Sequence, residues 1–418
     1  MGRKILTEVG QMVTPTGDSA ATGSEMDHLK VLEDAEIMIS DGTIEDVGLS
    51  GDFTRNSEEG VEVLNLQGKT VLPGLIDPHT HFVFSGYRSE EFRSRLQGKS
   101  YEEIADEGGG IRSSVSSTRD ASFEELKKVS RARLESMARY GITAVEGKTG
   151  YGLDVDTELK QLRVMIELDE ETPLEVVPTF LGAHSIPEEH AGRREDYVDL
   201  VMEKSAPEAA ERGAEFCDVF CDRGAFTVEE SKRILNHGKE LGLTPKIHAD
   251  EIAGTGGAEL AAEVSAISAE HLLKASWEGL MEMKREGVIA VLLPITAFSL
   301  REKYARARDM IDAGLSVALA TDFNPGSCYS ESVPLLISLA TLYMGMTLEE
   351  TITGLTLNAA AALDRADRLG TIEPGKQADL VILDAPDYGH LAYHIGVSSV
   401  ERVIKKGETI WKKKLPRF

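Results

Sequence analysis

The chain has 418 residues, 41% of them apolar, so it can bury a large core, and it carries 71 acidic against 45 basic residues for a formal charge of −26. That excess argues against non-specific binding to nucleic acid or to an anionic membrane, and any anionic substrate must be met by a local cation. Three cysteines (Cys217, Cys221, Cys328) give no disulfide framework, no stretch approaches the ~18 apolar residues of a membrane span, and the opening MGRKILTEVGQMVTP lacks a signal peptide's apolar core, so a cytoplasmic protein is expected.

The first seventy residues hold short strand-like pieces. The run 35–39 leads through Asp41-Gly42 into 43–47, the pattern of a hairpin. The last fifty look similar, with strand-like runs at 378–383 and 400–404 and a turn at Lys406-Gly407. These ends are expected to pair into a small β-sandwich domain, residues 1–70 with 368–418, flanking a catalytic unit over 71–367. In that middle part, apolar strand-like runs at 71–76, 142–146, 174–181, 216–220, 245–248, 265–269, 288–293 and 316–321 alternate with helical stretches. Capping boxes announce three of the helices: Ser122 with Glu125, Thr227 with Glu230, and Thr347 with Glu350. Eight βα units fit an α/β fold of the (β/α)8 TIM-like barrel type, and periodicity alone leaves a doubly wound open sheet as an alternative. Cys217 and Cys221, four apart, read as buried thiols rather than ligands.

A barrel collects its functional side chains at the C-terminal ends of its strands. His79 and His81 follow the first run, His184 the third, His248 the fifth, His271 the sixth and Asp322 the eighth. An isolated His-x-His is more simply a hydrogen-bonded pair near a turn. In extended chain, however, residues i and i+2 share a face, and four further candidates gather at the same end. His79, His81, His248 and Asp322 together offer three imidazoles and a carboxylate, a set that suits one Zn2+ or Fe2+ ion with an open position for water. The fourth strand, FCDVFCD, has no lysine to bridge a second ion. His28, His190, His237, His390 and His394 end no strand and read as structural or surface residues. The glycine-rich DEGGGIRSS follows no strand and lacks a P-loop lysine, so it reads as a loop shaping the pocket rather than as a nucleotide site.

PGLIDPHTH, with histidines after strands five and six and an aspartate after strand eight, resembles the amidohydrolase superfamily. More specifically, DPHTHFVFSGYR, GGGI, KTGYGLD, TFLGAHSIP, DVFCDRGAF, HADE, ATDFNPGS and HLAYHIGV, in that order along nearly the whole chain, resemble the imidazolonepropionase family. The resemblance implies a metal-dependent hydrolase barrel that opens the cyclic amide of imidazolone propionate to N-formimidoyl-L-glutamate in histidine degradation. Another mononuclear amidohydrolase, such as a purine, pyrimidine or triazine deaminase, is the alternative. The same metal ligands follow from the resemblance, with Arg88, Tyr101, Tyr151, His184, Glu251, Asn324, Gly326 and Ser327 as substrate contacts. Asp322 is expected to move the water proton to the leaving ring nitrogen. His271 would position the nucleophile, Glu251 hold the ring N–H groups or relay a proton, and His184 donate to the carbonyl oxygen. Arg88 would grip the propionate of a small anionic heterocyclic substrate. Homodimerisation is implied as well. Two positions depart from the family's pattern: Glu270 precedes His271 where an aspartate is expected, and Tyr87 stands where a smaller polar residue is expected.

Overall fold

The computed structural model describes residues 2–56, 60–99, 103 and 109–414. Among them, eight parallel strands stand side by side in chain order: β5 (Leu75–Asp77), β6 (Ile142–Lys148), β7 (Glu175–Ala183), β8 (Phe216–Cys221), β9 (Thr244–Ala249), β10 (Ser268–His271), β11 (Ile289–Leu292) and β12 (Val317–Leu319). Their residues are almost all buried, as strands covered on one side by helices and on the other by a barrel interior must be. All three capping boxes form, each hydroxyl accepting from the N3 amide while the N3 glutamate returns to the cap.

The barrel is near-closed. Its first and last strands meet just beyond their C-terminal ends, where Thr80 bridges Phe323 in parallel. The His81 amide donates to Phe323 O at 2.9 Å and the Asp322 amide to His79 O at 3.1 Å. At the opposite end, Ala144, Val177 and Phe216 pack on Leu357, Ala359 and Ala360 of the helix Leu357–Ala362, which plugs the cylinder with apolar side chains.

The chain ends form a separate mixed sheet in the order β15-β14-β13-β4-β1-β2-β3. Its strands are β1 (Arg3–Thr14), β2 (Lys30–Ser40), β3 (Thr43–Leu49), β4 (Glu62–Pro73), β13 (Leu380–Leu383), β14 (Val400–Lys405) and β15 (Glu408–Lys412). Asp41-Gly42 and Lys406-Gly407 turn its two hairpins with positive φ at both residues, the geometry that matches strand twist.

The run 71–76, read above as one strand, is divided between the two sheets. Pro73 ends β4 and Leu75 begins β5, with only Gly74 between. A Cβ on Gly74 would fall inside the Thr143 side chain, so only glycine lets the chain cross here. Strand β10 also begins three residues later than the pattern implied, at Ser268. No helix among the described residues is long and apolar enough to cross a membrane.

Candidate metal centre and active site

The strand ends of the barrel carry unusual backbone. Asp250, His271, Leu272 and Asp322 all have φ between 52° and 69°. Left-handed non-glycine residues cost on the order of 1–3 kcal/mol each and persist where the surroundings over-determine them. Here they mark where the chain leaves β9, β10 and β12 for the loops that follow, and Asp250 uses its carboxylate to accept from the Thr255 and Ala258 amides of the next loop and helix.

His79, His81 and His248 bring ligand nitrogens within 4.8 Å of one another, all buried. Asp322 joins them, its Oδ1 lying 3.5 Å from His79 Nε2 and 3.7 Å from His81 Nε2. His248 Nε2 and His81 Nε2 are 3.4 Å apart. Burial holds His79 and His81 well below the usual histidine range, assisted by the positive Lys148 beside His79 and by His184 beside His81. Both are therefore neutral and able to donate lone pairs. Neither nitrogen of His79 has a hydrogen-bond partner, although the ring is fully buried. Such orphaned polar atoms are costly without a partner, and a divalent cation within this donor set would satisfy Nε2, the nitrogen that faces Asp322. The three imidazoles and the carboxylate fit a metal ion. Burial moves Asp322 up to about 6.

Several supporting residues escaped the sequence reading. Thr296, in the helix Pro294–Leu300, donates to Asp322 Oδ2 at 2.6 Å, which leaves Oδ1 for the cage. Asp77 accepts from the Thr321 amide at 3.1 Å and its hydroxyl at 2.6 Å, tying the end of β5 to the segment that carries Asp322. Asp218 Oδ2 lies 2.9 Å from His248 Nδ1, at ion-pair distance although the ring nitrogen makes no well-angled hydrogen bond. Burial opposes a charged His248, but Asp218 outweighs it and moves the group upward. A signal for this layer was present: Glu146, Lys148, Asp218, Lys246 and Glu270 are charged residues inside otherwise apolar strands, two of them spaced i, i+2.

The proposed substrate side is mixed. His184 stacks on His81 (ring centroids 5.1 Å, planes 13° apart), and Tyr151 stands edge-on to both. His184 Nδ1 is 2.9 Å from Gly150 O, so that nitrogen carries the proton and Nε2 is an acceptor. Burial pushes His184 down to about 4, which disfavours the expected role of donor to a carbonyl. Glu251 Oε1 lies 3.7 Å from His271 Nδ1, and burial, with Asp322 nearby, moves Glu251 up to about 8. Asn324 spends its side chain within its own loop. Its Oδ1 accepts from the Gly326 and Ser327 amides and its Nδ2 donates to Asp322 O and Ser327 Oγ, all at 2.7–2.8 Å. Asn324 thus holds the loop in shape.

Arg88 lies largely buried against this loop. Its Nε and Nη2 both sit 2.8 Å from Glu91 Oε2, and a Cβ on Gly326 would collide with its Nη1. Tyr87 points outward, 73% exposed, and packs on Tyr329 at 5.7 Å. Tyr101, and Gly108 of the GGGI motif, lie outside the described residues.

The amidohydrolase family profile matches residues 70–410. An imidazolonepropionase of Clostridium tetani is 50% identical over 414 residues, covering 99% of both chains. One from Parabacteroides distasonis is 50% identical over 407 residues, covering 97% of this chain and 98% of its own. Among solved structures, E. coli guanine deaminase matches at TM-score 0.74 with 15% identity over 98% of this chain and 100% of its own. A Klebsiella pneumoniae 5-methylcytosine deaminase with 5-fluorocytosine matches at 0.72 with 16% identity over 98% of each. These two likenesses speak to the fold alone. The amidohydrolase family is metal-dependent, in keeping with the cage of His79, His81, His248 and Asp322. The chain belongs to the amidohydrolase family and, within it, to the imidazolonepropionases.

Proposed function

We propose that the chain hydrolyses the ring amide of imidazolone propionate to N-formimidoyl-L-glutamate, using one Zn2+ or Fe2+ ion held by His79, His81, His248 and Asp322. The observation that carries the reading is a guanidinium, Arg88, seated against the Asn324–Ser327 loop that follows a cage of three imidazoles and a carboxylate. A substrate that presents both a scissile amide and a carboxylate fits this pairing, because Arg88 spends only its Nε and Nη2 edge on Glu91 and keeps Nη1 at Gly326 for an anion, which a neutral nucleobase does not supply.

The cation, when bound, supplies Lewis-acid polarisation and lowers the pKa of water from 15.7 toward ~7. Asp322 takes the proton of the attacking water and delivers it to the ring nitrogen as the C–N bond breaks. His271, kept neutral by burial, orients that water. Glu251, protonated near neutrality, donates a hydrogen bond through its O–H to the ring without giving up its proton, the transferred proton being the one Asp322 carries. His184 accepts a ring N–H at Nε2 instead of donating to the carbonyl, and Tyr151 closes the same wall. Gly326 admits Arg88, and Ser327, held by Asn324, lines the loop beside it. Tyr101 completes the assigned contacts.

The division into a catalytic unit over 71–367 and a small unit of 1–70 with 368–418 belongs to the same reading, supported by the two sheets. A cytoplasmic location is supported by three buried free thiols. A homodimer is supported by apolar side chains left exposed at Leu342, Tyr343, Tyr393 and Ile395. Turnover of imidazolone propionate by metal-loaded protein, with the product identified by mass spectrometry, tests the activity. Absence of formiminoglutamate, with release of ammonia from a purine, pyrimidine or triazine, would establish the deaminase alternative instead.

A further inference from the structure

Directly beneath the histidine cage the barrel interior is ionic and dry. Glu146 and Lys148 of β6, Asp218 of β8, Lys246 of β9 and Glu270 of β10 are all buried to within the last percent of their surface. Lys148 Nζ lies 2.7 Å from Asp218 Oδ2 and 3.0 Å from Glu146 Oε1, and Lys246 Nζ lies 3.2 Å from Glu146 Oε1. Two ammonium groups thus face three carboxylates, a formal sum of 2 − 3 = −1.

Within this layer Asp218, Glu270 and His248 bring ligand atoms within 4.8 Å of one another. Two carboxylates and an imidazole form the donor set of a divalent cation site, provided His248, whose Nε2 faces the first cage, releases its Nδ1 proton to solvent and bridges the two positions as an imidazolate. Glu270 Oε2 is buried with no hydrogen-bond partner, and His248 Nδ1 makes no well-formed hydrogen bond either. The positive group that reaches this set is Lys148, which already engages Asp218 Oδ2, the same oxygen that faces His248. An ammonium and a divalent ion cannot share that oxygen in a layer without water, because the two positive charges would stand in contact.

We propose that Lys148 is the built-in occupant of a second cation position formed by Asp218, Glu270 and His248, and that its presence holds the centre to a single metal ion. The inference rests on the one-ion reading above. Removing the ammonium leaves one positive charge against three negative ones, with three donors still in place. A divalent ion restores the balance through those donors, whereas proton uptake by a carboxyl would leave the metal count at one.

The test is metal content after saturation with Zn2+ and desalting, measured for the wild type, Lys148→Ala and the double variant Lys148→Ala/Glu270→Gln. The expected counts are one, two and one zinc per chain. Cobalt loading gives an independent readout, with a second set of visible bands in Lys148→Ala alone. Because buried carboxylates without a cation endanger folding, Lys148→Ala is to be produced and refolded with zinc present. Failure to fold even then overturns the proposal, since the second ion is meant to replace the missing charge. A folded Lys148→Ala with one zinc and an unchanged cobalt spectrum overturns it alone. Two ions in the wild type would sink the one-ion reading as well. None of these counts depends on which substrate is turned over.

Discussion

Thr296 Oγ1 donates to Asp322 Oδ2 at 2.6 Å, and this one bond decides which carboxylate oxygen faces the cage. With Oδ2 engaged, Oδ1 stands 3.5 and 3.7 Å from the two histidines that follow β5. Groups that orient a metal-binding side chain typically contribute ~10–100-fold in affinity or activity. Thr296→Val keeps the shape and removes the donor. Its kcat/KM is expected to fall within that range, while Thr296→Ser, which keeps the hydroxyl, stays within a few-fold of wild type. Steady-state kinetics with metal content measured in parallel checks this. A valine variant with normal kinetics would show that Asp322 needs no such restraint.

Arg88 offers one edge to Glu91 and packs its Nη1 against Gly326. If it anchors the substrate carboxylate, Arg88→Ala raises KM by roughly 10–100-fold, the loss of about 1.5–3 kcal/mol for a charge-assisted contact, with kcat changed far less. Gly326→Ala displaces the guanidinium and moves KM in the same direction. An unchanged KM in Arg88→Ala removes the assignment.

Chelation provides a third check. Stripping the ion should abolish turnover, and addition of Zn2+ or Fe2+ should restore it. The melting temperature should rise on reloading, because a ligand at 100-fold its Kd stabilises the folded chain by about 2.7 kcal/mol. Calorimetry with and without metal measures the shift, and identical melting curves would mean that the buried histidines hold no cation.

Acid sensitivity is expected from Glu175, at the start of β7. Arg368, Arg365 (3.2 Å) and Lys405 (3.4 Å) surround it. Burial alone would raise this carboxyl, but Arg368, Lys405 and Arg365 hold it at about 2, below its ordinary 4.5. A depressed carboxyl contributes stability that is full above 4.5 and is lost as pH falls toward 2. Glu175→Gln should therefore cost on the order of 2 kcal/mol at neutral pH and much less at pH 2–3. Denaturant melts across that window test the sign. An equal deficit at both ends would contradict it.

The parts of the site that were legible in the sequence obey a local period. His79 and His81 are two apart, and His248 and Asp322 follow or end apolar runs, so strand order brings them to one rim, while the left-handed backbone at Asp322 lies outside any strand period. The boundary inside 71–76 was not legible, because Val71 and Ile76 are equally apolar and only the crowding of Gly74 by Thr143 reveals the crossing. Thr296 was hidden for another reason. It is an unexceptional threonine in a helix, 26 residues from Asp322, and its meaning lies wholly in a tertiary contact. The tautomer of His184 likewise depends on Gly150 O, which no spacing announces.

The meeting of Thr80 with Phe323 has one more consequence. In the tripeptide His79–Thr80–His81 the middle residue and the backbone seal the cylinder, while the outer two side chains turn inward to the cage. Catalytic centre and structural seam are therefore the same few atoms. An ion lodged between His79, His81 and Asp322 would rivet the first turn of the barrel to its last. Demetallation would then loosen the barrel along that line. The amides of His81 and Asp322, whose bonds cross the seam, would lose more exchange protection on demetallation than the other barrel amides.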